Sequence, residues 1–134
     1  MSTRCTVTYL DVTAGEYHTV YGHLDGYLAG VGKTLAIHYN DKEKVKALID
    51  EGSFSSLGAT IDTTCFYVRD RGEAYELNKP TIAKNIEDIL TQEYNYLFNG
   101  MYWFYFGRLG TDDYSLKVLN SDEINADNKE RHGG

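Results

Sequence analysis

Polar side chains that could bind or react are concentrated in residues 23–27, which read His-Leu-Asp-Gly-Tyr. If this stretch ends a strand, His23 and Asp25 share one face, as an acid–base pair or a polar binding site requires. Tyr27 adds a hydroxyl and an aromatic ring to the same candidate ligand site. The alternative is structural, because Asp-Gly is a common turn pair and Asp25 can cap the helix that follows.

A second polar cluster, residues 69–73, reads Arg-Asp-Arg-Gly-Glu and follows a strand-like segment. The guanidinium groups of Arg69 and Arg71 can grip a phosphate or a carboxylate through paired hydrogen bonds. Gly72 would let the backbone approach a ligand closely, and Glu73 completes the candidate set. The alternative is an exposed turn whose charges neutralise one another. This cluster is the best candidate in the chain for contact with an anion.

Aromatic side chains fill residues 94–106. A face of Tyr and Trp can stack on a nucleotide base or anchor a partner protein, so Tyr96 and Trp103 are further candidate ligand contacts. The alternative is that these rings form the core and keep their polar atoms at its rim. Asn99-Gly100, between two strand-like runs, predicts a hairpin with a type I′ turn.

No metal or cofactor site is predicted. The segment 26–34 ends in Gly-Lys-Thr as a P-loop does, but Tyr27 stands where that motif needs glycine. The apolar residues of the same segment have helical spacing, which opposes a phosphate-binding loop. Cys5 and Cys65 lack partners at zinc-site spacing, and we expect free thiols in a reducing compartment.

The elements that must position these residues follow from apolar periodicity and turn residues. Strands are predicted at 3–10, 16–24, 64–69, 94–98, 101–106 and 114–119. Helices are predicted at 27–39, 41–51 and 80–90, with a loop at 53–58. Because the strands are mostly adjacent in sequence, the predicted fold class is α+β: a largely antiparallel sheet of about five to six strands with two to three helices on one face. Residues 1–120 are expected to form a single domain, and residues 121–134 a flexible acidic or polar tail.

The charge balance excludes some classes of partner. The 134 residues include 13 Lys and Arg against 20 Asp and Glu, a formal net charge of -7, which argues against binding to a nucleic-acid backbone. No apolar run approaches the ~20 residues of a membrane helix, and the N-terminus lacks the pattern of a signal peptide. We therefore expect a cytoplasmic protein that binds neither nucleic acid nor membrane directly. The sequence leaves a homo-oligomer open.

Five segments together carry a resemblance: Ser-Thr-Arg at the start, and residues 23–27, 30–58, 69–73 and 93–98. As a set they resemble a small family of proteins from tailed bacteriophages and prophages, over about residues 2–98. The resemblance implies the bacterial host cytoplasm as the location. It implies no settled catalytic activity, so it supplies a context and not a mechanism.

Composition and this context give three hypotheses of function. In the first, a non-catalytic phage accessory protein antagonises a host defence system by binding. It would either occlude a host protein with its acidic surface or sequester a nucleotide second messenger through Arg69, Arg71 and tyrosines. In the second, a small hydrolase or transferase acts on a nucleotide with His23 as base and Asp25 as its orienting group. In the third, the protein has a structural or assembly role in the phage particle.

Overall fold

The computed structural model describes residues 3–107 and 116–131. The strands within these ranges are β1 Cys5–Asp11, β2 Glu16–Gly22, β3 Phe54–Ser56, β4 Cys65–Phe66, β5 Thr81–Ala83, β6 Tyr94–Phe98, β7 Trp103–Phe106 and β8 Lys117–Val118. The α-helices are α1 Lys33–His38, α2 Lys42–Asp50, α3 Tyr75–Asn78 and α4 Ser121–Arg131. A π-helical turn, Leu28–Gly32, precedes α1, and a 3₁₀ turn covers Ile86–Asp88. None of the helices described is long and apolar enough to span a bilayer.

The strands join into one mixed, mostly antiparallel sheet with the order β4-β3-β2-β1-β6-β7-β8, and β5 pairs with β2. Two neighbouring pairs are parallel, β1 with β6 and β2 with β3. The first hairpin is in register from Cys5 opposite Gly22 to Asp11 opposite Glu16. The predicted α+β class is therefore confirmed, with more strands than the sequence indicated.

Side chains that alternate along the strands give the sheet two different faces. The helix face carries the main apolar core, and its buried residues on β1 are Cys5, Val7 and Tyr9. The same face continues with Val20, Phe54, Phe66, Tyr96, Phe98, Trp103 and Tyr105. The helical elements and their flanks complete this core with Leu28, Val31, Leu35, Tyr39, Val45, Leu48, Ile49, Leu119 and Ile124. Contacts of α2 with both β1 and β2 bring its apolar side onto this face.

The opposite face, here the polar face, is also buried in the middle of the sheet, where hydrogen-bonding residues lie beside the apolar Leu97 and Phe106. The Thr8 and Thr19 hydroxyls lie 2.7 Å apart, and the Thr6 hydroxyl donates to Asn95 Oδ1 at 2.8 Å. The Asn95 amide in turn donates to the carbonyls of Phe106 and Gly107. Since β5 pairs with β2 and β6 with β1, the connection between them must cross the sheet. Its residue Gln92 donates its backbone N–H to Asn95 Oδ1 at 2.7 Å.

The predicted helix over 80–90 is wrong. Thr81–Ala83 form β5, which pairs with Tyr17–Thr19 of β2, and a short 3₁₀ turn follows at Ile86–Asp88. The apolar spacing was misleading, because Ile82 and Leu90 are exposed and only Ile89 of this stripe is buried. Backbone groups along β2 are available for pairing, and that long-range bonding outweighs the local helical pattern.

The predicted flexible tail is wrong for residues 121–131, which form α4. Asn120 accepts a hydrogen bond from the Glu123 backbone N–H at the start of this helix. Ile124 packs into the main core, and the buried Asp127 carboxylate accepts a hydrogen bond from the Ala29 N–H at 2.9 Å. The Tyr105 hydroxyl also donates to the Glu123 carboxylate at 3.0 Å. The helix has no amphipathic stripe, so tertiary contacts that the sequence does not signal hold it in place.

Four smaller predictions also differ from the structure. Phe54–Ser56 form β3 where a loop was predicted, and the predicted strand 64–69 shortens to Cys65–Phe66. The hairpin between β6 and β7 forms without a type I′ turn. Its loop, 99–102, has four residues, and Asn99 Oδ1 accepts hydrogen bonds from the backbone N–H groups of Met101 and Tyr102. Gly100, at φ +100°, supplies the left-handed turn residue there. Of the last predicted strand, 114–119, only Lys117–Val118 is observed, and its residues 114–115 lie outside the described residues.

Candidate functional site

Residues 23–27 follow the end of β2 and join the sheet to the π-helical turn. The backbone N–H groups of His23 and Leu24 donate to Phe54 and Ser55, which extends the pairing with β3 by two residues. Asp25 then turns away with a left-handed backbone, φ +56°. His23 and Asp25 therefore do not share a strand face, and the Asp25 carbonyl accepts a hydrogen bond from Val31 instead. The Tyr27 hydroxyl lies 3.5 Å from the Asp25 carboxylate.

The His23 ring contacts Tyr21, two residues earlier on the same strand. The Tyr21 hydroxyl lies 2.6 Å from His23 Nδ1, and the two ring centroids are 5.9 Å apart. Partial burial raises the pKa of the Tyr21 hydroxyl, and the charge of Arg4 nearby opposes that rise. The hydroxyl is therefore a proton donor at neutral pH. When it donates to Nδ1, the imidazole carries its proton on Nε2.

The two arginines of the second cluster have different environments. Arg69 makes two hydrogen bonds to the Asp70 carboxylate and one each to the carbonyls of Ile61 and Thr64. These contacts hold the pKa of Asp70 below its ordinary value, chiefly through the Arg69 hydrogen bonds and then through the Phe66 N–H. The guanidinium also lies 4.8 Å above the Phe66 ring. Arg69 therefore ties the loop before β4 to the loop after it, and its donors are used for that purpose.

Arg71 lies on the polar face and makes few contacts with the protein. Its guanidinium donates to Ser55 Oγ at 3.3 Å and lies 5.3 Å from the Tyr67 ring centroid. Among the described residues, Ser55 is its only hydrogen-bond acceptor. Glu73 is exposed nearby, and its backbone N–H donates to the Tyr67 carbonyl. Arg71 can therefore offer most of its N–H groups to a ligand.

These contacts bring parts of both polar clusters together at one end of the polar face. We define the polar patch as Arg4, Tyr21, His23, Ser55, Tyr67 and Arg71. Ser55 connects the two clusters, because its carbonyl accepts from Leu24 and its hydroxyl accepts from Arg71. Thr6 lies opposite Tyr21 in the first hairpin. Arg4, just before β1, precedes Thr6 by two residues, the spacing that places two side chains on one side of an extended chain. The patch combines two cations with aromatic rings and hydroxyl groups.

Sequence reasoning missed Arg4, Tyr21, Ser55 and Tyr67. One local signal existed, because Tyr21 and His23 are two apart on a strand and must share a face. Nothing local could have found Ser55, which was expected in a loop. Its place beside His23 depends on the parallel pairing of β2 with β3, between residues more than thirty positions apart.

Tyr96 and Trp103 were candidate ligand contacts, and both lie in the core of the helix face. The Tyr96 hydroxyl donates to the Gly26 carbonyl at 2.7 Å, and burial raises its pKa well above the ordinary value. Trp103 donates its indole N–H to the Tyr39 carbonyl at 2.8 Å and packs on Phe98. Tyr96 thus supports the junction after β2 from behind, which gives it an indirect relation to the polar patch.

Gly26 is required at this junction by close packing. Its N–H donates to the Thr3 carbonyl at 2.8 Å, and a Cβ at this position would lie 2.7 Å from that same oxygen. Any larger residue would push the junction away from β1, and with it the segment that carries His23. Gly26 therefore lets the His-Leu-Asp-Gly-Tyr segment lie close to the start of β1.

A groove of about 480 Å³ lies between α1, α2 and the loop after β3, and its walls include Ile37, His38, Lys44 and Ile61. It contains none of the residues that the sequence singled out. Within residues 3–107 and 116–131, no cluster of three or more His, Cys, Asp or Glu side chains is placed to hold a metal ion.

Neither thiol belongs to the polar patch. Cys5 is fully buried on the helix face, and burial raises the pKa of its thiol to about 12, so it stays protonated and unreactive. Cys65 is half-buried on β4.

No protein-family model, curated protein or solved structure matches this chain.

Proposed function

We propose that the protein binds a nucleotide through the polar patch and holds it without chemical change. In the phage context that its sequence resembles, such binding would withdraw a nucleotide second messenger from a host defence system. The location would be the bacterial host cytoplasm. The observation that carries the proposal is the meeting of Arg4 and Arg71 with Tyr21, His23 and Tyr67 on one side of the sheet.

The chemistry of these groups suits a phosphorylated ligand. Arginine donates several parallel N–H bonds to phosphate oxygens, and Arg71 is held in place by Ser55 and Tyr67 while most of its donors remain available. Tyrosine and histidine rings offer surfaces on which a base can stack. In a chain of net charge -7, this patch concentrates cations on a small part of the surface.

The alternative of a hydrolase or transferase has less support from the geometry. That mechanism assigned Asp25 as the group that orients His23, whereas the His23 ring is hydrogen-bonded to Tyr21 and Asp25 faces the π-helical turn. A tyrosine next to an imidazole fits binding of a phosphate or sugar hydroxyl as well as it fits proton transfer. Turnover of a bound nucleotide would favour the enzyme over the binding protein.

Occlusion of a host protein by the acidic surface makes a different demand on the patch. Occlusion would depend on surface carboxylates and would not require Arg71. Nucleotide binding would require Arg71 and would not depend on carboxylates elsewhere. A structural role in the phage particle likewise makes no demand on Arg71. The alternatives therefore separate on one residue.

The test combines extraction with titration. The protein would be purified from cells in which a nucleotide-signalling defence has been triggered and then denatured, and the released small molecules would be identified by mass spectrometry. Calorimetric titration with AMP, cyclic AMP and a cyclic dinucleotide of two adenylates would follow. The variants are Arg71→Gln and, as the matched loss of one exposed positive charge, Lys42→Gln on α2.

We expect a nucleotide among the released molecules, and binding that falls at least tenfold in Arg71→Gln but less than twofold in Lys42→Gln. Absence of binding by every probe, or equal loss in both variants, would overturn the proposal. Conversion of a bound nucleotide to a product would replace it with the enzyme hypothesis.

A further inference from the structure

The two cations of the polar patch lie on opposite sides of the Tyr21–His23 pair. Cys5 is opposite Gly22 in the first hairpin, so Arg4 comes level with His23 one step further along the ladder. The bond from the Gly26 N–H to the Thr3 carbonyl shows that the two segments stay adjacent there. On the other side of His23 lies β3, where Ser55 receives the Arg71 guanidinium.

The spacing of strands gives the distance between the two cationic positions. Neighbouring strands in a sheet lie about 4.8 Å apart, so the Arg4 and Ser55 backbones, with β2 between them, are separated by roughly 10 Å. Arg71 is fixed near Ser55 by its hydrogen bond and by the Tyr67 ring. A single phosphate on Arg71 therefore lies about two strands away from the backbone of Arg4.

The charge of Arg4 acts on the centre of the patch. Arg4 is exposed and precedes Thr6 by two residues, the spacing that places two side chains on the same side of an extended chain. Its charge opposes the rise that burial causes in the pKa of the Tyr21 hydroxyl. The Tyr21 hydroxyl and the His23 ring occupy the space between the two cations, where they can meet the hydroxyl groups of a sugar. The order across the patch is cation, hydrogen-bonding groups, cation.

We propose that the ligand of the polar patch carries two separate phosphate groups, as a dinucleotide does, with one phosphate on Arg4 and the other on Arg71. This inference rests on the proposed function, since it names the ligand class for the same site. A ligand with one phosphate would use Arg71 alone. A ligand with two would use both cations at once, and the second contact would be intramolecular and so would strengthen binding at little further entropic cost.

The experiment compares one-phosphate and two-phosphate probes on a small set of variants. The probes are AMP and a cyclic dinucleotide of two adenylates, titrated by calorimetry into the wild-type chain, Arg4→Gln, Arg71→Gln and Lys42→Gln. Arg4, Arg71 and Lys42 are all exposed, so we expect each substitution to leave the thermal unfolding temperature unchanged. This measurement checks that each variant folds. Arg4→Lys, which keeps the charge, serves as the conservative variant.

We expect the dinucleotide to bind at least tenfold more tightly than AMP to the wild-type chain. Arg4→Gln should remove that advantage and leave AMP binding within twofold, and Arg4→Lys should retain most of it. Arg71→Gln should weaken both probes at least tenfold.

Equal affinity of the two probes for the wild-type chain would overturn the two-phosphate inference and leave nucleotide binding intact. Equal weakening of both probes by Arg4→Gln would also overturn it, because the two arginines would then share one phosphate. Absence of binding by both probes would instead remove the proposed function itself.

Discussion

The two faces of the sheet differ in what they bury, although the same strands build both. On the helix face, β1 contributes Cys5, Val7 and Tyr9 to an apolar core that the helices cover. On the polar face, the residues between them, Thr6 and Thr8, are just as fully buried but are hydrogen-bonded to Asn95 and Thr19. Burial alone therefore does not distinguish the two sets of β1 residues, and the kind of interaction does.

The difference explains where a ligand site can lie. Over its centre the helix face is closed by apolar packing, so its aromatic residues there, Tyr96 and Trp103 included, are committed to the core. The polar face is closed at its centre by Thr and Asn side chains and ends in half-buried Tyr21 and His23. A face that already satisfies its buried groups by hydrogen bonds can pass gradually into a polar binding surface.

The largest effect should come from truncation on the helix face. Phe54 is fully buried, and its ring lies over Gly22 of the neighbouring strand. Phe54→Ala removes this packing and leaves a cavity, so we expect the free energy of unfolding to fall by about 3–5 kcal/mol. Urea denaturation followed by circular dichroism would measure it. Leu77→Ala, which truncates an exposed apolar residue, should change stability by less than about 0.5 kcal/mol, and an equal loss in both variants would contradict this account.

The polar face should be sensitive to loss of its central amide. Asn95 accepts from Thr6 and Gln92 and donates to Phe106 and Gly107 in a buried position. Asn95→Ala leaves several buried polar groups without partners, and we expect a loss of about 2–3 kcal/mol. Asn85→Ala, on an exposed residue, is the control. Chemical denaturation of Asn95→Ala with a midpoint equal to that of Asn85→Ala would show that the face does not depend on this network.

A smaller effect should separate hydrogen bonding from shape on the same face. The Thr8 and Thr19 hydroxyls are mutual partners at 2.7 Å, and both residues are buried. Thr8→Val leaves the Thr19 hydroxyl unsatisfied and should cost about 1 kcal/mol, because the penalty is that of one orphaned polar group. The double variant Thr8→Val with Thr19→Val should recover most of that loss. Double-variant losses that simply add would indicate that the pair acts independently.

The smallest effect should be electrostatic and should depend on pH. The pKa of Asp70 is lowered in the folded state by Arg69, so the stability it contributes is present above its ordinary value near 3.8 and is lost as pH falls through the folded value. Asp70→Asn should therefore be less stable than the wild type at about pH 7, and the difference should shrink below about pH 4. Denaturation midpoints across that range would measure it. Glu87→Gln, an exposed carboxylate, should show no comparable trend, and a constant difference for Asp70→Asn would contradict the assignment.

The pairing of β1 with β2 and of β6 with β7 was largely predictable, because the signals for both hairpins are local. The alternation of β1 and β2, and the aromatic runs that flank Asn99-Gly100, depend on neighbours in the sequence. The helix over 41–51 was also predictable, since Asp41 accepts a hydrogen bond from the Lys44 N–H as an N-cap. Segments whose structure depends on distant partners were not, and β5 and α4 are the clear cases.

The candidate site shows the same limit. Arg69 and Arg71 look equivalent in the sequence. In the structure, Arg69 is structural, because it donates to the Thr64 carbonyl and its partner Asp70 accepts from the Phe66 N–H. Arg71 donates to Ser55 beside β2 and remains available to a ligand. His23 was predicted to act with Asp25, but its hydrogen-bonding neighbour in the structure is Tyr21. The backbone reversal at Asp25 separates the two, and the Asp-Gly pair had indicated a turn there as the structural alternative.

By itself, the sequence determined the class of fold, the alternation that gives the sheet two faces, and the two polar segments from which a site could be built. These depend on residue type and on short spacing, which act through local conformational preference and hydrophobic burial. Only the tertiary structure decided which strands are neighbours, which aromatics enter the core, and that Arg4, His23 and Arg71 belong to one patch. The reason is that strand pairing brings together residues far apart in the chain, and the free energy of that pairing comes from hydrogen bonds and packing that exist only once the sheet has formed.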